Sequence, residues 1–165
     1  MKWILFLGII ICIFLNTFAI KDTTFFYHEK IQNLKIEKNI LEIAKQTISI
    51  ESKGIANLIQ FLNSDFENAV KFILNSNGRV IVTGVGKSAN IATKIVATLN
   101  STGTPAIFMH AADAIHGDLG IVQKDDVVIC ISKSGNTPEI KVLIPLIKNS
   151  NNKIIALTGN VDSYL

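Results

Sequence analysis

The sequence predicts an α/β protein built on a doubly wound parallel sheet, and three observations carry that prediction. From Arg79 onward, short β-branched runs alternate with stretches whose apolar residues recur at helical spacing. The run Val127–Ile131 is apolar throughout, as expected of a strand covered on both faces. The stretches rich in glycine, serine and threonine follow the strands, which puts the polar chemistry at the carboxyl ends, where such sheets bind ligands. A chain of 165 residues supports at most one such domain.

Taken in order, the chain opens with Met1-Lys2 and an apolar run from Trp3 to Ile20, broken only by Asn16 and Thr17. One lysine, a hydrophobic stretch and Thr17-Phe18-Ala19 fit a secretory signal peptide, and the run also suffices to span a bilayer. A start assigned too early is the third reading of residues 1–20. Residues 21–38 are polar and aromatic without periodicity and read as a linker. From position 39, Ile40, Ile43, Ala44, Ile48, Ile55, Leu58, Ile59 and Leu62 follow helical spacing, in one long helix or two. Ser64 and Glu67 form a candidate capping box for a helix to about Asn75, closed by Asn77-Gly78.

Strands are then expected at Arg79–Thr83, Ala106–Met109, Val127–Ile131 and Lys153–Leu157. A helix from Ser88 to about Asn100 carries Ile91, Ile95 and Leu99 on one face. Another follows Pro138, with Ile140, Leu143, Ile144 and Ile147 inward and Pro145 expected to kink it or remove a hydrogen bond.

Composition narrows the function. A formal charge of +3 with scattered lysines offers no basic stripe, so nucleic-acid binding finds no support. The hydrophobic fraction of 48% and mean hydropathy of +0.39 draw much of their excess from the first twenty residues. Cys12 and Cys130 sit far apart in apolar runs, so they read as reduced hydrophobes, and no metal site is predicted.

Ser132-Lys133-Ser134-Gly135-Asn136-Thr137 leads from a buried strand into a helix. Hydroxyls, free backbone N–H groups and the positive helix end converge there, which suits a phosphate. Thr137 is the expected helix cap and Pro138 the first helical residue. Gly84-Val85-Gly86-Lys87-Ser88-Ala89 fits the dinucleotide fingerprint G-x-G-x-x-G/A. The acid that a nicotinamide site needs about twenty residues on is missing, however, and His110 stands in its place. A Walker loop fails too, since Ile81 occupies its first glycine position. His110, Asp113, His116 and Asp118 share the segment after the second strand, where a histidine beside an acid can move protons near neutral pH.

These motifs together resemble the sugar isomerase (SIS) domain of arabinose-5-phosphate isomerases. The resemblance rests on Gly84-x-Gly86-Lys87-Ser88, Ser101-Thr102-Gly103-Thr104-Pro105, His116-Gly117-Asp118-Leu119-Gly120, Ser132-x-Ser134-Gly135-x-Thr137-x-Glu139 and Leu157-Thr158-Gly159. It implies a flavodoxin-like three-layer sandwich over residues 39–165, helices included. It also implies interconversion of D-ribulose 5-phosphate and D-arabinose 5-phosphate through an enediolate, towards the Kdo sugar of lipopolysaccharide, without a cofactor. By this resemblance Gly86, Ser88, Ser132, Ser134, Gly135 and Thr137 bind the sugar phosphate, and Glu139, His116 and Lys87 serve proton transfer and oxyanion stabilisation. A cytoplasmic homo-oligomer, a tetramer by family analogy, is implied as well. Membrane contact is expected only if residues 3–20 act as an anchor.

The family's domain continues with another strand, a further Glu and a His-Pro-Gly-Gly segment, often followed by a pair of CBS modules. Against that pattern the chain reads as a truncated member. The alternative is a phosphosugar-binding module without catalysis.

Overall fold

The computed structural model describes residues 40–165. The hydrophobic segment 1–20, with Cys12 and the candidate anchor, and the linker 21–38 lie outside the described residues. The chain divides into two compact units between Phe66 and Glu67.

In the first unit, α1 (Ile40–Asn57) passes directly into a 3-10 turn (Leu58–Phe61). The 18 residues of α1 include none that is buried, and Ile40, Leu41 and Ile48 are well exposed. The next helix, α2 (Ser64–Leu74), crosses the unit boundary. Its cap corrects the capping-box expectation. Asn63 Oδ1, one residue before Ser64, accepts from the backbone N–H groups of Asp65 (3.0 Å) and Phe66 (3.2 Å). Glu67 instead pairs with Lys71 one turn on, at 2.6 Å, a surface pair worth little by itself.

The second unit holds the sheet. Its strands are β1 (Val80–Gly84), β2 (Ala106–His110), β3 (Val127–Ser132) and β4 (Lys153–Thr158), all parallel in the order β2-β1-β3-β4. The central β1 and β3 are buried along their whole length, which is why Val80–Val82 and Val127–Ile131 run apolar rather than alternating. The helix α3 (Lys87–Ser101) connects β1 to β2 and packs against both through Ala89, Ala92, Ile95 and Leu99. Asn100 pins the return by accepting from the Ala106 N–H (2.8 Å) and donating to its carbonyl (3.0 Å).

The opposite face is covered by α5 (Pro138–Asn149) and the short α4 (Ala111–Ala114). Here Ile140, Leu143, Ile144 and Ile147 close on Ile81, Val128, Cys130 and Met109. Each such side chain contributes about 1.5–3 kcal/mol by leaving water. Helices on both faces make the sheet doubly wound, as the sequence predicts. The helix α5 continues through Pro145, which lies on its exposed side, where water can serve the carbonyl that loses its donor. Burial pushes the Cys130 thiol up to about 12, so this cysteine is an inert core residue.

The amino end of the sheet is locked by a polar clamp. The Asp126 carboxylate, 2% exposed, accepts from Arg79 Nη2 (2.8 Å) and Nε (3.3 Å) and from the backbone N–H groups of Arg79 (2.7 Å) and Gln123 (2.8 Å). Arg79 Nη2 also reaches the Ile121 carbonyl (2.8 Å), and Asn152 Nδ2 donates to the carbonyls of Gln123 and Asp126. Burial alone would raise the Asp126 carboxyl, but these donors and the guanidinium charge outweigh it and hold it below its ordinary value. Gly78 approaches so closely that a methyl there would run into the Asp125–Asp126 backbone. With this end rigid, the carboxyl ends of the strands form a fixed platform for the loops.

Candidate functional site

Register sets the geometry of the site. Gly84 lies beside His110 on one side and Ile131 on the other, so the loops leaving β1, β2 and β3 start side by side. A methyl on Gly84 would stand 3.1 Å from Ser88 and 3.2 Å from the Ile131 carbonyl, so this glycine lets the first loop fold tightly over the sheet. Gly86 caps α3 with φ +57° and ψ −124°, a conformation open essentially to glycine alone. The helix therefore begins at Lys87, one residue earlier than expected. Lys87 places its cation at the positive end of the helix dipole, which costs stability rather than adding it. It is exposed and forms no ion pair among the described residues. Ser88 is half-buried behind it.

The β3–α5 loop is a closed turn. The hydroxyls of Ser132 and Thr137 are 2.8 Å apart, and the Gly135 N–H donates to Ser132 Oγ (3.1 Å) and to the Ser132 carbonyl (3.2 Å). Ser134 Oγ accepts from the Asn136 N–H at 3.2 Å and is otherwise exposed. Gly135 takes φ +63° and is buried. Thr137 holds the cap position without a capping hydrogen bond, a correction to the cap expected of it. Its hydroxyl is drawn back to Ser132 instead, because closing the loop satisfies the buried serine. No side chain of the cap residue therefore serves the first-turn N–H groups of α5, which have no intrahelical acceptor. Ser132 is only 3% exposed, so it shapes the loop, while Ser134 is exposed.

Glu139 sits in that first turn, half-buried, and its Oε2 is buried without a hydrogen-bond partner. Thr83 Oγ1 is likewise buried and unpartnered. Thr83 is in register with Met109 and Cys130, on the face that α5 covers, so these two oxygens lie at the carboxyl end of the same face, while a third, Thr104 Oγ1, lies just before β2 at the amino end. Orphaned buried oxygens are uncommon and mark places where a ligand or proton can be taken.

The segment after β2 is less assembled. His110 stacks edge-on against Phe108 (6.2 Å, 75°), and its buried Nδ1 stands 3.8 Å from Asp113 Oδ2, too far for a hydrogen bond. His116 is exposed, and only its backbone N–H is engaged, to the Asp113 carbonyl at 2.9 Å. Gly117 (φ +136°) then leads into a 3-10 turn, Asp118–Ile121, that begins with the exposed Asp118. The structure therefore joins Ser132, Gly135 and Thr137 by hydrogen bonds and sets the Gly86-Lys87-Ser88 loop on the neighbouring strand. It leaves the His116 ring without a partner among the described residues.

Sequence reasoning missed the residues that hold the β3–α5 loop from outside. The Gly159 N–H donates to the Lys133 carbonyl (3.0 Å), the Tyr164 N–H to Asn136 Oδ1 (3.3 Å) and the Leu165 N–H to the Gly135 carbonyl (3.0 Å). Asn160-x-Asp162-Ser163 is an Asx-turn pattern that could have flagged this return.

Comparison with known proteins decides the family. The SIS domain model matches residues 73–165. The chain belongs to the SIS-domain family. Among curated SIS relatives, arabinose 5-phosphate isomerase KdsD of Pseudomonas aeruginosa is 44% identical over 133 residues, covering 81% of this chain and 41% of that protein. Arabinose 5-phosphate isomerase KpsF of Escherichia coli O6:H1 is 43% identical over 135 residues, with the same coverage of 81% and 41%. An Escherichia coli CFT073 protein solved in complex with arabinose 5-phosphate superposes with a TM-score of 0.73 at 41% identity, covering 79% of this chain and 70% of that one. The chain thus spans about two fifths of the length of these curated relatives. Like that solved SIS neighbour, it is α/β, with a parallel sheet between helices. Among the described residues, no helix is long and apolar enough to cross a membrane.

Proposed function

We propose that this SIS domain belongs to an aldose–ketose isomerase that interconverts D-ribulose 5-phosphate and D-arabinose 5-phosphate. The observation that carries the reading is the pairing of a donor-rich loop at the α5 N-terminus with an unpartnered Glu139 oxygen one residue into that helix. The SIS relatives named as arabinose 5-phosphate isomerases and the neighbour bound to arabinose 5-phosphate support the same substrate class.

In this reading the phosphate rests on Ser134, Thr137, the Gly135 turn and the free N–H groups of α5, with Ser132 fixing the loop behind them. Gly86 and Ser88 line the sugar. Glu139 removes the proton from C2 of the aldose and the electrons move onto the C1 carbonyl oxygen to give an enediolate; the O2 hydroxyl proton passes to O1, and return of the carbon proton to C1 leaves the carbonyl at C2 of the ketose. Lys87 stabilises the enediolate oxygens, which explains a cation kept at the unfavourable end of a helix. His116 is the second proton carrier in this reading. In the same reading the enzyme acts in the cytoplasm as a homo-oligomer supplying Kdo synthesis, and the exposed apolar residues of α1 support an oligomer.

Incubation with ribulose 5-phosphate in D₂O tests the chemistry. Deuterium at the carbon beside the carbonyl, with arabinose 5-phosphate formed, is the expected result. Saturable binding without exchange would refute the isomerase and leave a phosphosugar-binding module.

A further inference from the structure

Residues 158–165 return over the β3–α5 loop, and their contacts converge on one position. Beyond the ends of β3 and β4 the pairing continues, with Gly159 N–H on the Lys133 carbonyl (3.0 Å). Asn160 then turns the chain: its Oδ1 accepts from the Asp162 N–H (3.0 Å), and its carbonyl accepts from Ser163 N–H (3.3 Å) and Ser163 Oγ (2.7 Å). That turn lays Ser163 directly on Gly135, where a methyl on the glycine would fall inside the serine side chain and 2.9 Å from Thr158 Oγ1. Leu165 follows, with its N–H on the Gly135 carbonyl (3.0 Å) and its side chain against the α5 core, while Lys141 lies over the Tyr164 ring at 5.8 Å.

We propose that residues 158–165 are a clasp that sets the conformation of the phosphate loop, with Ser163 as a positioning residue acting through Gly135. The inference rests on reading that loop as the phosphate cradle. Gly135 is needed for two separate reasons: its positive φ, and the absence of a side chain where Ser163 seats. Ser163 touches no substrate in this scheme. Its hydroxyl closes the turn that presses the clasp onto the loop, and the loop in turn aims Ser134 and the α5 N–H groups. Without the clasp, Gly135 and Asn136 would lose their outer partners and the loop would sample open conformations.

Two measurements on the full chain test this. Hydrogen–deuterium exchange at the Gly135 and Asn136 amides needs no ligand. Ser163→Ala should speed it about five-fold, the worth of one net hydrogen bond. Unaltered exchange would overturn the clasp. The second measurement is arabinose 5-phosphate affinity in a double-mutant cycle. Gly135→Ala should weaken binding at least about ten-fold, and adding Ser163→Gly should recover part of that loss, because the collision with Ser163 is removed while the φ strain and the approach to Thr158 stay. Simple addition of the two effects would overturn the positioning role. A wild-type protein that binds no arabinose 5-phosphate would sink the proposed function, and the exchange measurement would still judge the clasp.

Discussion

Replacing Asp126 by Asn tests the clamp that holds the amino end of the sheet. Asparagine keeps the shape but offers one acceptor oxygen to donors that the carboxylate serves with two, and it leaves the Arg79 guanidinium without its counter-charge. Breaking one member of a buried pair costs about 3–5 kcal/mol, and the retained acceptor places Asn near the lower end. For a unit of this size each kcal/mol moves the midpoint by about 4–8 °C, so Asp126→Asn should lower Tm by roughly 12 °C or more. The pH dependence follows from the sign. The folded-state pKa of Asp126 is depressed, so its contribution is fully present above the ordinary carboxylate value and is lost as pH falls through the folded value. Asparagine does not titrate, so the gap between wild type and variant should narrow on acidification. Thermal or urea unfolding from pH 7 downwards measures it. A gap under about 0.5 kcal/mol at pH 7, the size of an ordinary surface change, or one that stays constant into acid, would refute the reasoning.

Other outcomes are open to direct measurement. Glu139→Gln should reduce deuterium exchange from solvent by at least about a hundred-fold while leaving inorganic phosphate binding in place; equal loss of both would show that the carboxylate shapes the loop instead. Lys87→Met should lower kcat by about a hundred-fold or more with little change in KM, as expected of a group acting on the enediolate, and a change confined to KM would assign it to binding. Gly78→Ala should destabilise by about 1–3 kcal/mol in chemical denaturation, because a backbone neighbour cannot step aside as a flexible side chain can. Native Cys130 should resist a thiol reagent until the protein unfolds, and rapid labelling of folded protein would contradict its burial.

The fold is legible because burial writes itself into sequence. Val127–Ile131 is apolar throughout and Val80–Thr83 β-branched throughout because helices cover both faces, and each expected strand lies within a residue of its observed ends. The β3–α5 loop stands out in the sequence as a candidate site because serine, glycine and threonine between strand and helix have few structural uses at that density. Division of labour inside the loop is not legible. Which hydroxyl faces outward depends on three-dimensional closure, so nothing in the sequence distinguishes buried Ser132 from exposed Ser134. Thr137 reads as a cap for the same reason: a hydroxyl at that position can serve the helix or the loop, and the buried serine decides. Asn63 escapes notice because Ser64 and Glu67 fit a familiar pattern one residue later. The Arg79–Asp126 clamp and the 158–165 clasp join residues distant in sequence, where local patterns carry no signal.

The central claim is that the loops at the carboxyl ends of β1 and β3 together hold a sugar phosphate. Backbone amide shifts in an NMR titration with arabinose 5-phosphate test it most directly. Saturable shifts concentrated at residues 84–88 and 132–140 are expected, with inorganic phosphate reproducing only the second group. Shifts absent from both loops, or centred on the Arg79–Asp126 end of the sheet, would contradict it.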